Sequence, residues 1–230
     1  MKFSVVVLTG AGISAESGLR TFRDANGLWE GHNVMDVASP QGFADNPALV
    51  LDFYNQRRSQ LKKADPNLAH RALVDLETIS DVTIITQNVD DLHERAGSSN
   101  VVHLHGELFK VRSTDGGSIQ TWEQDLNLGD TCANGHQLRP HIVWFGEEVP
   151  MMEKAVEITR NASVLLIIGT SMQVYPAASL INCITRGTPI YFIDPNPTVN
   201  ENDLDNLTII PKKATIGVPI VVDRLIGTMP

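Results

Sequence analysis

The sequence predicts an α/β fold, a parallel sheet with helices on both faces, and three observations predict it. Short apolar, β-branched runs recur along the chain: FSVVVL (3–8), VTIIT (82–86), VVHL (101–104), SVLLII (163–168) and PIYFI (189–193). Such near-continuous hydrophobic runs mark strands buried on both faces. Helical patterns lie between them, at roughly 47–63, 67–79, 151–161 and 175–186, and a last one around 218–227 closes the chain. Strands alternating with helices make a parallel sheet. Finally, the first run passes straight into a glycine-rich turn, LTGAGISAESGLRTFRDANGLW at 8–29.

In that turn Gly10, Gly12 and Ala15 fit G-x-G-x-x-A, with a helix expected from Ile13. Backbone N–H groups and a helix N-terminus in this setting hold a pyrophosphate. On spacing alone, a tight strand-to-helix turn without a ligand competes evenly with that reading. The usual dinucleotide fingerprint also places an acid at the end of a second strand ~20 residues on, and none stands there. The chain continues instead with Thr21-Phe22-Arg23-Asp24, and the first acid that plainly ends a strand is Asp194 in FIDPN. Asp194 or Asn196 is therefore the better candidate to hold a ribose hydroxyl.

Residues 31–79 read as helix and loop, a cap beside the sheet. Within them ALVLDFYNQRRSQL sets Tyr54 and Arg57 three apart, on one helical face. Strand 82–86 runs into TQNVDDLH, so Gln87, Asn88 and Asp90 sit just past its C-terminal end. Open α/β sheets bind ligands there, although Asn and Asp also serve as helix N-caps. VVHLHGEL places His103 and His105 on one face of a strand that Gly106 ends. His105 would lie at the crevice mouth as a candidate general base, and His103 reads as a packed or hydrogen-bonded histidine. Segment 107–142 is polar, holds Gly116-Gly117 and lacks helical periodicity, so it reads as a loop-rich insertion. Gly169-Thr170-Ser171 is a third strand end of small residues. Three such ends point to one shared crevice.

With 230 residues, 42% of them hydrophobic, the chain can bury one sizeable core or a large domain with a smaller insertion. A net charge of −9 argues against broad nucleic-acid binding and is compatible with basic, lysine-bearing partners. Two distant cysteines, Cys132 and Cys183, fit a reducing compartment better than a disulfide framework. The N-terminal apolar run is too short for a signal peptide and no stretch reaches membrane-spanning length, so a cytoplasmic protein without membrane partners is expected.

Five blocks in order, GAGISAESGLRTFR, TQNVDDLHERAG, HLHGEL, LRPHIVWFGE and GTSMQVYPAA, span nearly the whole chain. Together they resemble the sirtuins, NAD-dependent protein-lysine deacylases, and most of all the bacterial and mitochondrial class that removes acidic acyl groups. The resemblance implies a Rossmann-like large domain (1–30, 80–106 and 143–230). The small domain would combine the helical cap (31–79) with the insertion (107–142). NAD and an acyl-lysine protein or peptide would meet in the cleft between them. By similarity Gly10, Ala11, Gly12, Ser14, Glu16, Thr21, Phe22, Arg23 and Trp29 form the NAD loop region. Gln87, Asn88, Val89 and Asp90 hold the nicotinamide riboside end. Gly169, Thr170, Ser171, Asp194, Pro195, Asn196 and Ala214 line the adenosine side. His105 matches the catalytic histidine, acting with Asn88 and Asp90, and Val143, Trp144, Phe145 and Gly146, with the stretch after Ser171, match the strands that clamp the substrate peptide as an added strand. Products would be free lysine, nicotinamide and O-acyl-ADP-ribose. Tyr54 and Arg57 match the pair that recognises succinyl- and malonyl-lysine; on spacing alone they would be an ordinary helix pair. The sequence departs from the family in its insertion. Sirtuins usually carry four cysteines there on a structural zinc, whereas this chain has Cys132 alone, with Ser113 near the first cysteine position. No metal is expected, and Trp122 and Leu126 are candidate anchors of the insertion. A monomer is expected. An NAD-dependent oxidoreductase, a non-catalytic NAD- or ADP-ribose-binding module and a mono-ADP-ribosyltransferase remain as alternatives.

Overall fold

A computed structural model describes residues 3–20, 28–29, 31–200 and 206–228. Strand β1 (Phe3–Thr9) is followed by a small hairpin, β2 (Leu28–Trp29) and β3 (His32–Asn33), and by α1 (Val34–Val37), α2 (Pro40–Asp45), α3 (Pro47–Leu61) and α4 (Leu68–Leu76). Side chains of Asn33, Ser39, Asn46 and Asn67 accept the first free N–H groups of these four helices, and Pro40 and Pro47 open α2 and α3. Next come β4 (Ser80–Thr86), α5 (Leu92–Ala96), β5 (Val101–His103), β6 (Gly106–Ser113), β7 (Gln120–Thr121) and β8 (Leu138–Ile142). The chain ends with α6 (Met152–Arg160), β9 (Val164–Ile168), a 3-10 stretch at Ala177–Cys183, β10 (Ile190–Ile193), β11 (Leu207–Ile210) and α7 (Ala214–Thr228).

Six strands form one parallel sheet in the order β11-β10-β9-β1-β4-β5. Strands β4 and β5 lie to one side of β1, and β9, β10 and β11 to the other. The strand order therefore reverses between β1 and β9, as in doubly wound nucleotide-binding sheets, and a crevice opens at the C-terminal ends of those two strands. Alternate residues of β1 feed two cores. Val5 and Val7 pack with α4 and α7, and Val6 and Leu8 pack with α6 and the 3-10 stretch. A third core joins α1 and α3 to Leu108, Ile142 and Trp144, and a fourth ties Leu51 of α3 to Val111, Leu126 and Leu138 of the insertion.

Several expectations are corrected. Helix α4, read as part of the cap, packs on the sheet: Ala69, Leu73 and Leu76 lie in the first core. No regular helix follows from Ile13. Two 3-10 turns, Ala11–Ile13 and Ala15–Ser17, stand there, closed by Gly18 at φ 90°. The helix expected over 175–186 is the 3-10 stretch, ended by Ile184 in extended backbone. The insertion is less loop-rich than its polarity suggests, because β6 pairs antiparallel with both β7 and β8. Strand β11 has no counterpart in the sequence reading. Leu126 is fully buried, and Trp122 packs beside it. Asn55 of α3 grips the insertion backbone twice, accepting from Leu126 N at 2.9 Å and donating to Leu126 O at 3.1 Å.

Candidate active site

The glycine turn is shaped by a close backbone approach at the switch point. Gly10 N donates to Ile168 O and Gly12 N to Gly169 O, at 3.0 and 2.8 Å. A Cβ on Gly10 would stand 2.7 Å from Gly169 O, and one on Gly12 2.6 Å from Gly169 Cα. Only glycine lets the two strand ends meet this closely. The spacing that suggested a phosphate cradle is thus also demanded by the protein's own packing.

Beyond β4 the turn 87–90 interlocks with that glycine turn. The Asn88 amide donates to Gly10 O and to Ser14 Oγ, both at 3.2 Å, and Ser14 Oγ donates to Asp90 Oδ2 at 3.0 Å. Leu92 N donates to Asp90 Oδ1 at 3.2 Å, and Gln87 Nε2 reaches Thr170 Oγ1 at 3.0 Å across the crevice. Asn88, Asp90 and Ser14 are all buried. Burial raises the Asp90 pKa, partly offset by the Leu92 N–H, the Ser14 hydroxyl and the nearby His103. His105 Nδ1 lies 3.1 Å from Gln87 O. A carbonyl only accepts, so Nδ1 carries the proton and Nε2 keeps its lone pair. Burial lowers the His105 pKa, opposed by that same hydrogen bond, so the ring is a neutral base near pH 7.

These groups surround one cavity of about 650 Å³. Its lining includes Gly10, Ala11, Gly12, Ser14, Glu16, Trp29, Tyr54, Arg57, Gln87, Asn88, Val89, Asp90 and His105, and also Val143, Trp144, Phe145, Gly146, Gly169, Thr170, Ser171, Asp194, Pro195, Asn196 and Ala214. Every described residue that the sequence singled out for the site is brought together there; Thr21, Phe22 and Arg23 lie outside the described residues. Glu16 also anchors the start of α7, accepting from Thr215 N at 3.1 Å and Thr215 Oγ1 at 2.8 Å. Asp194 Oδ1 accepts from Asn196 N at 2.8 Å, which fixes the turn after β10.

At the other end of the cavity Tyr54 and Arg57 sit among aromatic rings. The Arg57 guanidinium lies 4.5 Å from the Trp29 ring centroid. Tyr54 has no exposed surface, and its hydroxyl accepts from Trp144 Nε1 at 3.0 Å. Burial above all raises the Tyr54 pKa far beyond its ordinary value, so the hydroxyl keeps its proton and can still donate it. Trp144 is clamped in turn: the Arg139 guanidinium stacks 3.3 Å over its ring, and Trp144 N donates to Glu147 Oε2 at 2.8 Å. Arg139 and Arg112 both bond the Glu147 carboxylate. The sequence reading missed Glu147, although it ends the quoted block LRPHIVWFGE. It missed Arg20, Leu108, Tyr175 and Lys213 of the lining as well, although Arg20, Leu108 and Tyr175 all lie within quoted blocks, GAGISAESGLRTFR, HLHGEL and GTSMQVYPAA.

In the insertion Ser113 Oγ donates to Cys132 Sγ at 3.4 Å, and His136 Nε2 lies 3.5 Å from Asp115 Oδ2. Among the described residues no three His, Cys, Asp or Glu side chains cluster to hold a metal ion, and no helix is long and apolar enough to cross a membrane.

Comparison with known proteins agrees with this geometry. A family model described as the Sir2 family matches residues 10–176. A Helicobacter pylori strain J99 protein named NAD-dependent protein deacylase is 61% identical over 193 residues, covering 84% of this chain and 82% of that one. A Bacteroides thetaiotaomicron protein of the same name is 50% identical over 222 residues, covering 94% of each. A solved Sir2 homologue in complex with NAD superposes with a TM-score of 0.89 at 38% identity, covering 100% of this chain and 91% of that one. A Sir2 protein bound to acetylated peptide superposes with a TM-score of 0.78 at 28% identity, covering 98% and 93%. The chain belongs to the Sir2 family.

Proposed function

We propose that the chain is an NAD-dependent protein-lysine deacylase that accepts acidic acyl groups, succinyl and malonyl, as well as acetyl. One observation carries the reading. The glycine turn, the Asn88–Asp90 turn, His105 and the Val143–Gly146 segment share a single cavity, interlocked by hydrogen bonds. The cavity fits NAD: the Gly10–Gly12 turn, whose own Gly10 and Gly12 N–H groups are taken by Ile168 O and Gly169 O, borders it where the phosphates would lie, and Asp194 and Asn196 stand at the end of β10 for the adenosine side. NAD supplies a ribose carbon whose bond to nicotinamide can break, so that even a weakly nucleophilic amide oxygen can attack it.

The protein's residues set up that encounter. Asn88 and Asp90, held rigid by Ser14 and Gly10, position the carboxamide and ribose. His105, neutral with Nε2 unprotonated, accepts a ribose hydroxyl proton. Val143 to Gly146 align the peptide, and Trp29, Leu108 and Ile142 keep water from the acyl chain. Arg57 presents a planar fork that matches a carboxylate at the end of an acidic acyl group, with the Tyr54 hydroxyl behind it. In this reading the sheet-bearing part binds NAD, and the cap with the insertion closes over the acyl-lysine. The reading takes the enzyme as a cytoplasmic monomer; its two cysteines, both free, are in keeping with a reducing compartment.

The test is a set of steady-state rates on acetyl-, malonyl- and succinyl-lysine versions of one peptide, with nicotinamide measured. The reading expects release with all three and efficient use of the acidic two. Release with the acetyl peptide alone removes the acidic-acyl assignment. ADP-ribose appearing on protein without loss of the acyl group favours ADP-ribosyl transfer instead.

A further inference from the structure

Two histidines at the end of β5 hold consecutive carbonyls of the turn that carries Asn88 and Asp90. His105 Nδ1 lies 3.1 Å from Gln87 O, and His103 Nδ1 lies 3.1 Å from Asn88 O. Both rings donate there, because a carbonyl only accepts. They differ at the second nitrogen. His105 lines the cavity, whereas His103 Nε2 stands 2.7 Å from Glu94 Oε1 on α5. An ionised carboxylate also only accepts. Both nitrogens of His103 therefore face acceptors, and the ring satisfies both only as an imidazolium. The His103 side chain is 9% exposed and that of Glu94 41%. The glutamate thus stays hydrated and ionised while the histidine is walled in beside the turn.

We propose that His103, held as an imidazolium by Glu94, is a positioning residue for the Asn88–Asp90 turn. It does not line the cavity and would not touch substrate. It acts by pinning the Asn88 backbone, so that the Asn88 amide stays on Gly10 O and Ser14 Oγ, and by setting a positive charge near the buried Asp90. The proposal rests on the deacylase reading for its kinetic consequence, but its structural content stands apart from it.

The charged and titratable groups facing this ring are Glu94 and His93 on α5, Glu107 on β6, and Asp90 in the turn; Lys110 of β6 acts on Glu94. Burial works against the charged ring. The Glu94 hydrogen bond and charge, Glu107 and the Asn88 carbonyl outweigh it, and the His103 pKa ends above its ordinary value. The ring therefore donates to Asn88 O and Glu94 together at lower pH; as pH rises through that raised value it loses one proton and can hold only one of the two, so the Asn88 carbonyl and the Glu94 carboxylate compete for it. His105 is shifted the opposite way, so of two rings two residues apart one is charged and the other neutral over one pH range.

Two measurements on the whole chain test this. In the first, long-range 15N NMR follows each imidazole through a pH titration, with His103→Asn assigning the signals. The His103 midpoint is expected above the ordinary histidine value of about 6.5, and lower by about one unit in Glu94→Gln, which keeps an acceptor but removes the charge. A His103 midpoint at or below the ordinary value overturns the proposal. In the second, the pH profile of kcat/KM for NAD is recorded with an acetyl-lysine peptide. Glu94→Gln is expected to move the alkaline limb down by about one unit and leave the acidic limb, set by His105, in place. Superimposable profiles overturn the proposal even if Glu94→Gln melts earlier, because a merely structural pair lowers the midpoint without moving a limb. Wild-type protein that releases no nicotinamide at all refutes the deacylase reading, and the NMR titration still decides the charge state of His103.

Discussion

Replacing Arg57 by Met separates recognition of the acyl group from the chemistry. The methionine keeps an apolar stem against Trp29 and removes the guanidinium, which lies 4.5 Å from that ring. Arg57 is half-buried and its end of the cavity is lined by Trp29, Tyr54 and Trp144, so a carboxylate bound there is only partly screened by water. A hydrogen bond to a charged group contributes about 1.5–3 kcal/mol. At about 1.36 kcal/mol per tenfold, kcat/KM for a succinyl-lysine peptide should fall roughly 10- to 150-fold. An acetyl group ends in a methyl and has no charge to offer Arg57, so kcat/KM for the acetyl peptide should change less than about threefold. The lost cation–π contact costs about 0.5–2 kcal/mol of stability, which a melting curve reads separately. The assay is nicotinamide release from both peptides at matched NAD. A loss of equal size on the two would refute the reasoning, because it would place Arg57 in the shared machinery or in the fold rather than at the acyl end.

Other consequences are equally specific. His105→Tyr should lower kcat by at least about 100-fold while leaving a folded protein; near-normal turnover would remove His105 from the role of base. His70 is fully buried and its pKa is lowered by burial to about 4. Because the folded value lies below the unfolded one, stability is lost as pH falls from about 6.5 towards 4, roughly 2 kcal/mol between pH 7 and pH 4.5. His70→Gln, which can still complete the capping box with Asn67, should flatten that part of the acid melting profile, and an unchanged profile would place the acid sensitivity elsewhere. Gly12→Ala would set a Cβ 2.6 Å from Gly169 Cα and should destabilise by about 1–3 kcal/mol or more; a wild-type melting midpoint would contradict the packing account of the turn. Metal analysis of purified protein should find no stoichiometric zinc, and one zinc per chain would contradict the reading of the insertion.

The sequence made the sheet legible because its strands are buried on both faces. Val5 to Leu8 and Val164 to Ile168 have no polar residue to confuse with another period. It hid β6, whose Lys110 and Arg112 alternate with buried Leu108 and Val111 in a segment otherwise rich in polar turns. It hid β11 because four residues with a half-exposed centre give too short a signal. The place of α4 was also hidden: a helix buries its apolar stripe against whatever tertiary structure supplies, and here that is α7 and the sheet. The strand-end residues of the site were legible because position in an α/β sheet constrains them. Glu147 was not, since its role comes from Arg112, Arg139 and the Trp144 backbone converging on one carboxylate. The sequence set His105 at the crevice and His103 apart from it, but not the opposite direction of their pKa shifts, because the partner that raises His103, Glu94, lies on the preceding helix.

The most direct measurement is the balance sheet of one reaction: wild-type protein, NAD and an acyl-lysine peptide, with nicotinamide, free-lysine peptide and acylated ADP-ribose quantified at early times. The account predicts that all three appear in equal amounts, and that none forms when NAD is left out. Free-lysine peptide forming without NAD, or NADH accumulating in place of nicotinamide, would contradict it.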